Sequence, residues 1–287
     1  MDSASGDYSM EQAILITFAA RSDVGLRRSE NQDNYGIFPK DPIEPPGSMG
    51  RLFIIADGMG GHSGGREASE MAVRLVEETY FSDTANDTAN ALRHALEHAN
   101  EQIYQRAEAS PHVGGMGTTC TALVLKGRTA YLAHVGDSRA YRINRENVWQ
   151  LTRDHSKVAE LQRQGILSEK EAREHPERSI IMRALGIAPA VEVDIIEDIP
   201  INAGECFLLC TDGLAAVKER EMSKVVLSNP PEVACQKLIA SALDRGGQDN
   251  VTVQVIRIDG ALQSDATPQG SRRNTIWQKI FHISQTF

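Results

Sequence analysis

Four aspartates stand where apolar runs stop or start: Asp57 after Phe53-Ile54-Ile55-Ala56, Asp137 after Ala133-His134-Val135-Gly136, Asp212 after residues 207–211, and Asp249 just before 251–256. Strand ends project side chains at one rim of a sheet, so carboxylates far apart in sequence can meet there. Gathered at close range, they repel one another unless cations fill the space between them. Oxygen ligands of this kind suit Mg²⁺ or Mn²⁺ with water completing the shell, whereas zinc would want Cys and His ligands that are not grouped in this chain. Two such ions can bridge a water, lower its pKa and steady the entering and leaving oxygens of a phosphoryl transfer. Any one Asp-Gly is equally a common turn. Four strand-end aspartates, each beside Gly or Asn, are harder to explain as turns alone.

The elements that must position them follow from the apolar pattern. Residues 13–20 predict a first strand, broken by the polar stretch 21–25, and a loop then carries Arg28, Asn31 and Asp33. Short strands are predicted at 35–38 and at 52–56, the latter ending at Asp57-Gly58. The glycine-rich run 58–65 opens into a helix but lacks the Lys-Ser/Thr ending of a P-loop. Its glycines let the backbone, including the Gly58 carbonyl, approach an ion closely.

Helical spacing from Glu67 through Val76 and from Leu92 through Ile103 predicts two amphipathic helices covering one sheet face. Strands at 118–125, 129–135 and 140–143 read as a meander with turns at 126–127 and 136–138. The polar stretch 154–189 reads as an excursion with short helices at 158–164 and 169–174. Strands at 191–196, 205–210 and 251–258 and helices at 221–227 and 232–243 complete the core, and a Ser/Gln/Asp/Pro-rich linker begins after Gly260. This order predicts an α/β (α+β) four-layer sandwich, two mainly antiparallel sheets inside and helix pairs outside, rather than a doubly wound nucleotide fold. The expected organisation is an extension at 1–12, one catalytic domain at 13–259, and a linker and tail at 260–287.

Composition narrows the function classes. With 41% hydrophobic and 24% charged residues, the 287-residue chain can bury a sizeable core. A formal charge of −9 argues against a nucleic-acid groove, which needs a concentrated basic surface. No apolar run reaches the length of a membrane span, and a cytoplasmic monomer is expected. Cys120, Cys206, Cys210 and Cys235 lack Cys-x-x-Cys spacing and are read as reduced core thiols.

Taken in order, Ser22-Asp23-Val24-Gly25 through Arg28 to Asn31-Gln32-Asp33, ADGMGGH (56–62), GMGTT (115–119), AHVGDSRAY (133–141), LTRDHS (151–156), RALG (183–186), LLCTDGL (208–214) and GGQDNVT (246–252) resemble the motif set of bacterial type 2C protein phosphatases, the PPM family. The resemblance spans about residues 13–259. It implies hydrolysis of phosphoserine and phosphothreonine on proteins, with Mn²⁺ or Mg²⁺ as cofactor in two core sites and a third, weaker one. Asp57 would bridge the core ions, the Gly58 carbonyl would bind one, Asp212 and Asp249 would hold the other, and Asp33 would join the shell through water. Asp137 would serve the third ion together with Asp212. Arg28, rather than Arg27, would clamp the substrate phosphate, and His62 would protonate the departing serine or threonine oxygen. Gln32 departs from the pattern, standing where Glu is frequent, which implies a weaker negative field around the second shell.

The resemblance also makes residues 155–185 a flap beside the active site, whose Arg163, Arg173, Glu174, Arg178 and Arg183 either read phosphopeptides or solvate a loop. A cognate serine/threonine kinase is the implied partner. Two other functions compete: a catalytically silent phosphoprotein-binding module, which would lack metal aspartates, and a hydrolase of small phosphometabolites using the same centre. The tail residues Arg272, Arg273, Ile276, Trp277, Ile280, Phe281 and Ile283 form a short basic and apolar segment, read as an unpacked tail or as a docking helix.

Overall fold

Leu52, Ile54 and Ala56 alternate with Phe53 and Ile55 along one segment, and both sets are fully buried. A strand buried on both faces needs a packed layer on each side. The same two-sided burial recurs at 120–125 and 206–210, and together these segments dictate a stack of four layers.

The computed structural model describes residues 14–41, 47–60, 64–85, 87–109 and 115–261. Their elements, in chain order, are β1 (Ile14–Asp23), β2 (Asp33–Phe38), β3 (Arg51–Met59), α1 (Gly64–Ser82), α2 (Thr88–Ala109), β4 (Gly117–Thr118), β5 (Cys120–Lys126), β6 (Thr129–Val135), β7 (Arg139–Ile143), β8 (Val148–Gln150), α3 (Lys157–Arg163), α4 (Glu169–Glu174), β9 (Asp194–Pro200), β10 (Cys206–Cys210), α5 (Glu219–Ser228), α6 (Pro231–Asp244) and β11 (Val251–Ala261). One sheet has the order β1-β11-β10-β7-β8 and the other β2-β3-β5-β6-β9, with β4 extending β3. The described strand pairs are antiparallel.

Three apolar cores glue the four layers. Between the sheets, Phe53, Ile55, Leu123 and Leu132 meet Ala140, Phe207, Leu209 and Ile256. The opposite faces of the same strands turn outward: Leu52, Ile54 and Val124 pack under α1 and α2, while Leu208, Val253 and Val255 pack under α5 and α6. Each fully buried side chain of this size contributes about 1.5–3 kcal/mol relative to exposure, so the sandwich is a stiff frame for whatever its rim carries. The four-layer expectation holds, and all four cysteines are buried free thiols.

Several local expectations are corrected. β1 runs on through Arg21 and Ser22 to Asp23, because its whole length pairs with β11. β3 does not stop at Ala56: Gly58 and Met59 pair with Thr118 and Gly117, so Asp57 sits within a strand. The stretch 118–143 is not a meander. β6 pairs with β5 and β9 in one sheet while β7 pairs with β10 and β8 in the other, so Gly136-Asp137-Ser138 carries the chain across the sandwich. The predicted strand at 191–196 forms later, as β9 at Asp194–Pro200, and β8 had no counterpart in the sequence reading. His62, residues 42–46, the extension 1–12 and the tail from 262 lie outside the described residues.

Candidate active site

The register of β2 against β3 sets Asp33 directly opposite Asp57. From the other sheet, Asp212 opens a 3₁₀ turn, Asp212–Leu214, at the end of β10, and Asp249 lies just before β11. Asp137 occupies the crossover from β6 to β7. The charges of Asp33, Asp212, Asp137 and Asp249 all bear on the Asp57 carboxyl, so the structure brings together the five aspartates singled out from sequence.

Burial and mutual repulsion act in the same direction on the carboxyls of Asp57, Asp33, Asp137 and Asp212. Asp57 is driven well above the carboxylate range, first by burial and then by its acidic neighbours. Burial likewise lifts Asp33 to about 7, against the pull of its hydrogen bonds from Thr252 and Thr211. Asp137 rises to about 7 through burial and the charge of Asp212. Asp212 rises to about 6 through burial and Asp249, moderated by a hydrogen bond with Asp57. Without cations, such a centre has to hold protons instead.

A divalent cation fits this donor set. Asp33 Oδ1, Asp137 Oδ1 and Asp212 Oδ1 are buried and have no hydrogen-bond partner, an arrangement that is costly unless an ion or water satisfies them. At Gly58 a Cβ would come within 2.0 Å of the Gly65 carbonyl oxygen, so the glycine is required for the backbone at the head of α1 to close on the site. Among the described residues no three acidic, His or Cys side chains already converge as ligands of one ion. Asp249 is drawn aside by Arg28, whose Nη2 donates to Asp249 Oδ2 at 2.7 Å, and Asp33 Oδ2 is held by two hydroxyls.

Residues that the sequence reading did not single out hold the centre in place. Thr211 Oγ1 and Thr252 Oγ1 donate to Asp33 Oδ2 at 2.9 and 2.7 Å. The Asn250 side chain bonds three backbone groups of the Arg28 loop: its Oδ1 accepts from the Gln32 amide at 2.8 Å, and its Nδ2 donates to the Val24 and Glu30 carbonyls at 2.8 and 2.9 Å. Thr119 brackets Asp57, its amide donating to the Asp57 carbonyl and its hydroxyl accepting from the Asp57 amide, both at 2.9 Å. Each lies inside a recognised motif, and Thr211 and Asn250 directly adjoin the ligand candidates Asp212 and Asp249, which is the signal that could have found them. Gln32 uses its carbonyl to accept from the Gly58 amide at 3.2 Å and from Ser69 Oγ at 2.6 Å, so it supports Gly58 through its backbone.

Arg28 lies at the mouth of an open cleft of about 1320 Å³ that runs from Asp137, Asp212 and Asp249 between the flap and the start of α5. Arg153, Arg178 and Lys218 line it. The flap expectation divides here: Arg178 and Arg163 border the cleft, although Arg163 is paired with Glu160, whereas Arg183 is tied to Asp194 at 2.6 Å.

An acidic centre with orphaned oxygens, set beside Arg28 in an open cleft lined by further arginines, fits a divalent-metal phosphohydrolase. The sequence profile of the family described as Protein phosphatase 2C matches residues 29–245. The chain is 40% identical over 249 residues to the serine/threonine phosphatase stp of Listeria monocytogenes, covering 83% of this chain and 94% of that one. Its fold superposes on Stp1 from Staphylococcus aureus with a TM-score of 0.79 at 31% identity, over 88% of this chain and 98% of that one. It also superposes on the catalytic domain of PstP in complex with two manganese ions, with a TM-score of 0.73 at 31% identity over 86% and 99% of the two chains. The chain belongs to the protein phosphatase 2C family, metal-dependent hydrolases of phosphoserine and phosphothreonine in proteins.

Proposed function

We propose that this chain removes phosphate from serine and threonine side chains of proteins at the rim where Asp57, Asp212 and Asp249 meet Arg28. The observation that carries the reading is the set of buried carboxylate oxygens without partners, two of which belong to Asp137 and Asp212 in the lining of an open cleft. Asp57, the Gly58 carbonyl, Asp212 and Asp249 would hold two Mn²⁺ or Mg²⁺ ions, Asp33 would act through water, and Asp137 with Asp212 would take a third. When bound, the ions lower the pKa of a water and neutralise phosphate charge.

The chain's own residues supply the rest. Arg28 swings from Asp249 to the phosphate, where its planar fork can donate to two oxygens at once. The threonine pair keeps Asp33 Oδ2 occupied, which fixes that carboxylate's orientation. His62 would deliver a proton to the leaving oxygen, as the motif resemblance implies. An open cleft suits an extended phosphopeptide better than a small metabolite, which is normally enclosed in about 300–1000 Å³.

The reading carries further assignments. The catalytic domain expected at 13–259, with its flap at about 155–185, extends through Ala261, because Gly260 and Ala261 still pair with Leu15 and Ile14. The chain acts as a cytoplasmic monomer opposing a serine/threonine kinase, whose phosphorylated proteins are its substrates. In support, no helix among the described residues is long and apolar enough to cross a membrane, and hydrolysis of phosphoserine presupposes an enzyme that makes it.

The test is release of phosphate from phosphopeptides with Mn²⁺ present, beside free phosphometabolites at equal concentration. The proposal expects phosphopeptide turnover that Asp57→Asn abolishes. Faster turnover of metabolites, or activity indifferent to Asp57→Asn, would overturn it.

A further inference from the structure

The flap is fastened to the sandwich at both ends: the exit fastening reaches the Asp57 backbone, and the entry fastening grips Gly136, the residue before Asp137. At its exit, Leu185 and Thr118 exchange two backbone hydrogen bonds of 2.8 and 3.0 Å, and Thr118 Oγ1 donates to the Asp57 carbonyl at 2.9 Å. At its entry, the His155 amide donates to the Gly136 carbonyl at 2.7 Å, and the Gly136 amide donates back to His155 Nδ1 at 3.0 Å. Gly136 immediately precedes Asp137.

The chemistry fixes the tautomer of His155. A backbone amide can only donate, so Nδ1 is the unprotonated nitrogen and Nε2 carries the hydrogen. That nitrogen lies 3.2 Å from Asp194 Oδ2, and Asp194 Oδ1 accepts from Arg183 Nη1 at 2.6 Å. Arg183 sits in the returning arm of the flap, and Met182 beside it donates its amide to the His155 carbonyl at 2.7 Å. His155 is 6% exposed and packs against the His134 ring at a 41° tilt, with ring centroids 4.8 Å apart, so its ring has little room to turn. Gly136 is equally confined: its φ is +118°, and a Cβ there would meet Thr119 Cβ at 2.5 Å.

We propose that His155 is a positioning residue for the reaction. Through the Gly136 amide its ring holds the Val135–Gly136 peptide, one peptide ahead of Asp137, and through Asp194 and Arg183 it makes that setting depend on the flap being seated. The inference rests on the reading of Asp137 as a divalent-cation ligand.

The test compares His155→Ala, His155→Asn, Asp194→Asn and Asp137→Asn in the full chain. It measures Mn²⁺ binding by calorimetry, the Mn²⁺ dependence of kcat and KM, and amide hydrogen exchange. His155→Ala is expected to raise the Mn²⁺ concentration for half-maximal velocity about tenfold or more, as loss of an outer partner does at metal sites. The tight ions should still bind, KM for a phosphopeptide should stay nearly constant, and the flap amides should exchange faster. His155→Asn keeps an acceptor where Nδ1 stood and should recover most of the Mn²⁺ dependence but not the flap protection. Asp194 is partly exposed, so Asp194→Asn reports even where the alanine variant fails to fold, and it should loosen the flap and shift Mn²⁺ dependence in the same direction. Lower thermal stability with unchanged Mn²⁺ dependence in the His155 and Asp194 variants would overturn the inference. An inert Asp137→Asn would instead overturn the reading of Asp137, and the inference with it.

Discussion

Arg28 and Asp249, 221 residues apart, form a contact of 2.7 Å between guanidinium and carboxylate at the point where phosphate and cation would compete for them. Asp249 and, behind it, the charges of Asp57 and Asp212 hold the guanidinium firmly protonated. The pair is partly exposed, so solvent screens it and little stability depends on it. In the proposed reading its importance is exchange: with a cation at Asp249, Arg28 would be free for phosphate. Arg28→Ala is expected to lower kcat/KM for phosphopeptides about 10–100-fold, the equivalent of losing one charge-assisted contact. Arg28→Lys should recover little of that, because an ammonium lacks the fork. Calorimetric Mn²⁺ affinity should hold or tighten in both variants, and a loss of Mn²⁺ binding would contradict the exchange.

The raised carboxyls make metal-free stability depend on pH with a definite sign. Folding holds the protons of Asp33 and Asp137 up to about 7 and that of Asp212 up to about 6, whereas an unfolded aspartate loses its proton near about 3.9. Within that window the folded chain binds more protons than the unfolded one, so stability falls as pH rises. The contribution is complete below about pH 4 and gone above about pH 7. Metal-free Tm should therefore drop between pH 5 and pH 8, and saturating Mg²⁺ should flatten the drop by replacing protons. Calorimetry in two buffers of different ionisation enthalpy should also show proton release on Mn²⁺ binding at pH 6. A metal-free Tm that climbed from pH 5 to pH 8 would refute this account.

Removing one negative charge from the cluster should separate stability from function. Asp212→Asn deletes a carboxyl that burial and Asp249 push up to about 6. Above pH 7 the metal-free variant is expected to melt higher than the parent, with repulsion relieved, yet to lose Mn²⁺ uptake and turnover. Paired melting curves with and without Mn²⁺ decide it: a variant that melted lower and still gained stability from Mn²⁺ would remove Asp212 from the ligand set.

The strand-end aspartates were legible because each interrupts an apolar run, a local pattern that survives without the fold. Asp33 was legible only through its motif, since nothing nearby marks it as facing Asp57 across a strand pair. The threonine pair on Asp33 and the bonds of Asn250 act between residues 178 to 226 positions apart, and no local periodicity encodes them. The crossing from β6 to β7 was misread for a related reason: a Gly-Asp-Ser turn looks the same whether the next strand pairs with the last or leaves for the other sheet. Only the tertiary partners, β10 for β7 and β9 for β6, distinguish the two. His155 likewise reads as one polar residue among several in LTRDHS until its ring is seen against Gly136.

Asn250 offers a way to move Arg28 without touching it. Its side chain ties the Gln32 amide and the Val24 and Glu30 carbonyls, so the loop bearing Arg28 is moored beside Asp249 by one buried amide. Asn250→Ala would strand those three backbone groups, at a cost of about 1–3 kcal/mol each where water cannot reach them. Asn250→Asp keeps the acceptor for Gln32 but loses both donors and adds a charge beside Asp249, so it should not rescue. Both variants are expected to raise KM for phosphopeptides more than they lower kcat, because the loop loses its place while the acidic centre keeps its carboxylates. Hydrogen exchange across 24–32 should rise in step with KM. If KM stayed constant while that loop became mobile, the mooring would serve stability alone and Arg28 would find the phosphate without it.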